Sequence, residues 1–265
     1  MKATINGREL AWDETGSGRT ILFLHGFPFN RQLWYNQMRA IPSGWRGVAM
    51  DLRGFGESAG SNDPQYTMDM FADDAAALLT HLRVRRAVIC GLSMGGYIAL
   101  AMQRRYPSML GGLVLADTRA TADGEQERKK RLETAERVKA EGSSVVVDSM
   151  LPKLFASTTP YSKPQVAQFV RGMMEAAPAA SIARALLGMA ARPNSEPDLR
   201  NINVPTLVIV GAEDQITDRG QAQLMARAIR GSQIEVIPEA GHVSNLEAPD
   251  VFNEALRRLL TSLLA

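Results

Sequence analysis

A single cysteine, Cys90, is all the thiol chemistry this chain has, so no intrachain disulfide can form and the sequence fits a reducing compartment. Cys90 lies inside an apolar run and reads as a small core residue rather than a reactive thiol. Charge of one sign is equally scarce. The 30 lysines and arginines face 28 aspartates and glutamates, a net of +2, and no basic stripe with interleaved aromatics is present, so nucleic acid is not an expected partner. The densest charged stretch, Glu125–Glu141, alternates in sign as a solvated helix face does. No uninterrupted apolar run approaches bilayer length, and "MKATINGREL" lacks the apolar core of a signal peptide. The expectation is therefore a cytoplasmic protein with no membrane partner. A G-x-G-x-x-G fingerprint and a P-loop lysine are missing too, as are internal repeats and low-complexity segments.

What is present is a series of short, nearly continuous apolar runs separated by helical patterns. After a hairpin turned at Asn6-Gly7, the runs cover 20–26, 46–54, 86–93, 110–117, 205–214 and 232–242. Strands of that kind alternating with helices predict a mostly parallel sheet covered on both faces. Between Asp117 and Pro205 the alternation stops. A structureless loop of that length does not belong in a compact domain, and the segment has helical patterning of its own. Leu132, Ala135 and Val138 mark one helix. Val146, Val147, Met150, Leu151 and Leu154 mark a second, divided at Pro152. Pro164 starts a third, and Ile182, Leu186, Leu187 and Met189 mark a fourth that stops near Pro193. The division expected is an α/β core of residues 1–117 and 205–265 with a helical cap, 118–204, inserted into it.

Chemistry concentrates in "GLSMGG", Gly91 to Gly96. Gly91, Ser93 and Gly95 fit G-x-S-x-G between a strand and a helix. There the serine takes a strained turn, and a Cβ two residues to either side would collide with the neighbouring strand or helix. Such a turn presents Oγ beside the first N–H groups of the helix, which favour developing negative charge. A serine hydroxyl needs a base to attack at neutral pH. Of three histidines, His242 follows the last strand at the sheet's carboxyl end, His81 sits in a helical pattern, and His25 reads as shaping its loop. For the carboxylate that orients the base, Asp214 ends the penultimate strand and gives the chain order Ser93, Asp214, His242. Asp117 emerges at the same edge and stays in competition. Phe27, ahead of Pro28, and Met94, directly after the serine, are the expected backbone N–H donors for an oxyanion.

With "HGFP", "DLRGFGES", "GLSMGG", "GAED" and "AGH" in this order, the chain resembles the α/β-hydrolase superfamily over essentially its full length. It looks most like small bacterial serine hydrolases with a helical cap: 3-oxoadipate enol-lactonases, carboxylesterases and non-haem haloperoxidase-like enzymes. The resemblance implies an eight-stranded, mostly parallel sheet, a triad of Ser93, Asp214 and His242, and oxyanion donors at Phe27 and Met94. It also implies hydrolysis of a small-molecule ester or lactone without cofactor or metal. Serine at position 93, where haloalkane dehalogenases and epoxide hydrolases carry aspartate, speaks against those chemistries. Carbon–carbon bond hydrolysis of ring-cleavage diketones and a non-catalytic ligand-binding role remain as alternatives. Phe27, Phe29, Met94, Met150, Phe155, Met173 and Met174 are candidates for an apolar pocket. Lys153, Arg171, Arg184 and Arg192 are candidates to bind a substrate carboxylate.

Overall fold

In the computed structural model, which describes residues 1–264, the apolar runs form one eight-stranded sheet. The strands are β1 (Lys2–Ile5), β2 (Arg8–Gly16), β3 (Arg19–Leu24), β4 (Trp45–Met50), β5 (Ala87–Leu92), β6 (Leu110–Ala116), β7 (Thr206–Gly211) and β8 (Gln233–Ile237). They lie in the order β1-β2-β4-β3-β5-β6-β7-β8. The first hairpin is antiparallel and β2 runs antiparallel to β4, whereas every pairing from β4 to β8 is parallel. Asn6 and Gly7 both have positive φ, 50° and 73°, as the tight turn between β1 and β2 requires. Every residue of β5 and β7 is buried, the pattern of strands covered on both faces.

The helices on the two faces are α1 (Tyr35–Arg39), α2 (Met68–His81), α3 (Met94–Arg105), α9 (Arg219–Ala228), α10 (Ser244–Glu247) and α11 (Pro249–Ser262). Between β6 and β7 lie α4 (Glu125–Glu141), α5 (Ser144–Met150), α6 (Thr159–Ser162), α7 (Pro164–Glu175) and α8 (Ala179–Ala190). Side chains set these limits. The Thr67 hydroxyl accepts from the Met70 N–H to start α2, and Asp218 accepts from the Gln221 N–H to start α9. Pro152 falls in a 3-10 turn, 151–153, that ends α5, and Pro164 opens α7.

Some expectations need correction. The apolar positions Leu33, Trp34, Met38 and Ile41 have helical spacing, but they fall in a 3-10 turn, Arg31–Trp34, and the short α1 after it, with Ile41 beyond the end of α1. The short helices α6 and α10 were not apparent in the periodicity, because four residues are too few to show one. Leu132 is exposed on α4, where only Ala135 and Val138 are buried. Cys90 is fully buried, and burial pushes its thiol well above the ordinary range, in keeping with a core residue.

Candidate active site

The loop between β5 and α3 explains its glycines. Ser93 adopts φ 55°, ψ −116°, a conformation that L-residues rarely occupy and that costs on the order of 1–3 kcal/mol. The turn is held from three sides. The Ser93 N–H donates to the Ala116 carbonyl (2.9 Å), the Thr118 hydroxyl donates to the Ser93 carbonyl (2.7 Å), and α3 starts immediately after. A Cβ on Gly91 would stand 2.1 Å from the Gly95 carbonyl oxygen, and one on Gly95 would stand 2.1 Å from that of Leu24 on β3. The first contact closes the strand on its own helix. The second lets the helix seat against the neighbouring strand, so both positions exclude any side chain.

Three loops at the carboxyl ends of β5, β7 and β8 then converge. His242 Nε2 lies 2.8 Å from Ser93 Oγ. His242 Nδ1 lies 2.9 Å and 3.1 Å from the two carboxylate oxygens of Asp214. Asp214 is itself fixed. Its Oδ1 accepts from the N–H groups of Ile216 (2.8 Å) and Thr217 (3.0 Å), and its Oδ2 accepts from the Thr217 hydroxyl (2.7 Å). A carboxylate beside Nδ1 places the imidazole proton there and leaves the Nε2 lone pair facing the serine hydroxyl. Burial opposes charge on both partners. The neighbouring Asp214 charge and hydrogen bond nevertheless leave His242 raised above an ordinary histidine, and the His242 interaction leaves Asp214 below an ordinary aspartate.

Asp117, the competing carboxylate, does not touch the imidazole through a hydrogen bond. Its Oδ1 accepts from the Gly211 N–H (2.8 Å), and its Oδ2 lies 2.5 Å from the Ser244 hydroxyl. Burial, and then the negative charge of Asp214, push its carboxyl well above the usual range. His25 is likewise accounted for: Nδ1 donates to the Gly26 carbonyl (2.8 Å), and Nε2 accepts from the Leu52 N–H (3.0 Å). Those two bonds define a neutral ring locked into its loop, and desolvation lowers its pKa accordingly. His81 is exposed at the end of α2, edge-on to Trp12.

Above Ser93 is a cavity of about 290 Å³, bounded by Phe27, Tyr97 and Ile216 below and by residues of α4, α5 and α8 above. Of the apolar candidates, Phe27 and Met150 line it. Phe29, Met94, Phe155, Met173 and Met174 do not; Phe29 and Met94 pack beneath the sheet's loops and Phe155, Met173 and Met174 within the inserted segment, all in the buried core. Val146, Leu186 and Met189 supply the apolar wall instead, and no helical periodicity distinguishes a residue facing a cavity from one facing a neighbour. Of the four candidate cations, Lys153 alone borders the cavity. Arg171 pairs with Glu175 (3.3 Å), Arg184 donates to the Asp63 carbonyl (2.9 Å), and Arg192 pairs with buried Asp123 (2.8 Å). Lys130 and Arg131 also border it, with Glu127. Glu127 is engaged by Arg119, and Arg131 by Asp123. Of the cavity's cations, Lys130 and Lys153, both exposed, are the ones with no carboxylate partner among the described residues.

The Phe27 and Met94 N–H groups donate to no protein acceptor among the described residues. The same residues contain no cluster of three or more His, Cys, Asp or Glu side chains arranged to hold a metal, and no helix long and apolar enough to cross a membrane.

Comparisons with known proteins agree on this architecture. The chain is 40% identical to a thermophilic esterase from Thermogutta terrifontis solved with malate bound, covering 99% of this chain and 98% of that one at a TM-score of 0.96. It is 27% identical to the enol-lactonase of Burkholderia xenovorans, covering 98% and 100% of the two chains at a TM-score of 0.91. Among curated proteins, 3-oxoadipate enol-lactonase 2 of Acinetobacter baylyi is 26% identical over 98% of this chain and 97% of its own. The family model described as alpha/beta hydrolase fold matches residues 19–249, which take in strands β3 to β8 and the loops carrying Ser93, Asp214 and His242, and the chain belongs to the α/β hydrolase fold family.

Proposed function

We propose that this protein hydrolyses small carboxylic esters or lactones through an acyl-enzyme at Ser93. The observation that carries the reading is the unbroken hydrogen-bonded line from Ser93 Oγ through the His242 ring to Asp214, ending beneath a cavity. Relatives that are esterases and enol-lactonases support the same class of substrate.

In this reading Ser93 Oγ attacks the ester carbonyl carbon while its proton passes to His242 Nε2. Asp214 stabilises the imidazolium and keeps the ring in register. The carbonyl oxygen, now negative, accepts from the N–H groups of Phe27 and Met94, each such donor lowering the barrier by on the order of 3 kcal/mol. His242 then gives its proton to the departing alkoxide, which leaves as an alcohol or, from a lactone, stays attached as a hydroxyl on the acyl chain. Water, deprotonated by the same nitrogen, attacks the acyl-enzyme and releases the acid. No step calls for a cofactor. The helices of 118–204 act as a cap, with α4, α5 and α8 roofing the acyl site and setting which substrates fit.

A narrower substrate reading rests on Lys130 and Lys153. Two ammonium groups without side-chain partners at the cavity favour an ester or lactone that keeps a free carboxylate. A lactone derived from a dicarboxylic acid, as in the name of the Acinetobacter relative, is of that kind.

The test is covalent. A fluorophosphonate probe is expected to add once, at Ser93, by intact-mass and peptide analysis, and p-nitrophenyl acetate is expected to be turned over. A protein that neither takes the probe nor releases p-nitrophenol would instead be a ligand-binding member of the fold.

A further inference from the structure

Beyond the three residues in line, one buried carboxylate close to the imidazole has no part in the mechanism above. Glu247, the last residue of α10, is fully buried, and both of its oxygens accept hydrogen bonds. Oε1 accepts from the N–H of Gly241, the residue before His242, at 2.8 Å. Oε2 accepts from the Ala156 N–H (2.8 Å) and from the Thr159 hydroxyl (2.7 Å). One side chain therefore ties the histidine loop to residues 156–159 of the inserted segment. The tie is reinforced by the backbone, since the His242 N–H donates to the Leu154 carbonyl at 2.8 Å. Packing leaves no slack there: a Cβ on Gly241 would stand 2.5 Å from the Phe155 carbonyl carbon and 2.7 Å from the Ala156 nitrogen. On the other side, the Ser157 N–H and hydroxyl both donate to Glu213, the neighbour of Asp214.

This segment is also continuous with the cavity wall. Val146, Ser149, Met150 and Lys153 face the cavity, and the chain runs from Lys153 directly into the residues that Glu247 holds. We propose that Glu247 is a positioning residue for His242, joining the imidazole's loop to the wall of the substrate cavity so that the two keep a common register. The inference rests on the catalytic reading of Ser93, Asp214 and His242. It adds a mechanical link, in which whatever fills the cavity against 146–153 bears on the strap that sets the position of Nε2.

Electrostatics supplies a readout that simple scaffolding would not move. The charged or titratable groups facing the imidazole are Asp214, Asp117 and Glu247, each of which favours its protonated form. Lys163 Nζ donates to the Glu247 backbone carbonyl, and no cation forms a salt bridge with the Glu247 carboxylate among the described residues. Burial raises the Glu247 carboxyl, yet all three of its partners are donors and both oxygens only accept, the arrangement of a carboxylate, so replacement by an amide removes negative charge from beside His242. It also breaks at least one tie, whichever way the amide turns: its NH2 must face either the Gly241 N–H or the donor pair of Ala156 and Thr159.

The experiment compares Glu247→Gln and Thr159→Val with wild type, with Ser93→Ala run alongside. His242 is followed by its imidazole NMR titration, and ester turnover is followed across pH. For Glu247→Gln, folded by its near-UV dichroism, the expected results are a His242 titration displaced to lower pH and a kcat reduced about tenfold or more, KM changing less, since small displacements of a reacting group are costly. Thr159→Val keeps the charge and loses one tie, so kcat should fall without displacement of the titration. A folded Glu247→Gln with wild-type kcat and an unmoved His242 titration overturns the proposal. If Glu247→Gln does not fold, a wild-type kcat in Thr159→Val overturns it. The two readings fail separately. Turnover that survives Ser93→Ala refutes the acyl-enzyme reading, whereas the NMR titration reports on Glu247 with no substrate present.

Discussion

The Nε2 of His242 stands 2.8 Å from the Oγ of Ser93, across 149 positions of sequence. The loop at the end of β8 carries one atom and the turn into α3 the other, so their distance measures how faithfully the parallel strands between them are registered. A proton can pass at that separation only if both loops are held, and most of the consequences below follow from what holds them.

Ser93→Ala removes the proposed nucleophile and leaves the turn, since alanine replaces an Oγ whose bond within the described residues is the one to His242. Ester turnover should fall by at least about 10³-fold while the melting temperature stays near that of wild type. An unchanged rate would assign the chemistry to another residue.

The two carboxylates are separated by their amide variants. Asp214→Asn presents the wrong partner to Nδ1 and should cost on the order of 10⁴-fold in kcat. Asp117 makes no hydrogen bond to the imidazole, its oxygens being taken by the Gly211 N–H and the Ser244 hydroxyl, so Asp117→Asn should stay within about tenfold of wild type on the same scale. If the order of the two losses were inverted, Asp117 would be the imidazole's working partner.

The pH dependence has a definite sign. Attack requires a neutral imidazole, and His242 is raised by its acidic neighbours. The profile of kcat/KM should therefore climb through a limb lying above about 6.5, the ordinary histidine value. Stability runs the other way. The favourable contact of charged His242 is fully present below its unfolded pKa and is lost as pH rises through the higher folded value. The contribution of Asp214, whose pKa is lowered, is present above its unfolded value and lost as pH falls through the folded one. A limb below 6.5 would contradict the upward shift of His242, and a profile with no limb in the histidine range would contradict its assignment as base.

Gly95→Ala should be poorly tolerated for reasons of space alone. Its Cβ would meet the Leu24 carbonyl oxygen at 2.1 Å, backbone against backbone, with no side chain able to give way. A loss of about 2 kcal/mol or more in urea unfolding is expected from overpacking of this kind. Gly124→Ala, where nothing lies within 4 Å, is the control and should unfold close to wild type.

Lys130 and Lys153 make a prediction about specificity. The double change Lys130→Gln, Lys153→Gln should lower kcat/KM several-fold for a p-nitrophenyl monoester of glutaric acid, by removing both attractions to its carboxylate, an effect that added salt should weaken because both lysines are exposed. The rate on p-nitrophenyl pentanoate, which has no carboxylate, should be nearly unaffected. Equal effects on both esters would detach these lysines from substrate choice.

The sequence by itself determined the alternation of buried strands and helices, the glycine-bounded serine turn, and the order in which serine, aspartate and histidine appear. Those features are local: a strand buried on both faces must be apolar throughout, and a turn with a carbonyl pressed against it admits only glycine. His25 could be set aside as a loop residue for the same reason, lying directly against Gly26. The tertiary structure decided what depends on convergence. It distinguished Asp214 from Asp117, since both end neighbouring strands at the same edge and only the loop geometry sends one carboxylate to Nδ1 and the other to Ser244. It also separated Met150, on the cavity, from Met173 and Met174, in the core, although all three lie on apolar helix faces. Glu247 was invisible in "HVSNLEAP" because its partners, Ala156 and Thr159, lie about ninety residues earlier. A hydrogen bond between distant segments leaves no period in the chain, and appears only when folding brings donor and acceptor into the same buried place.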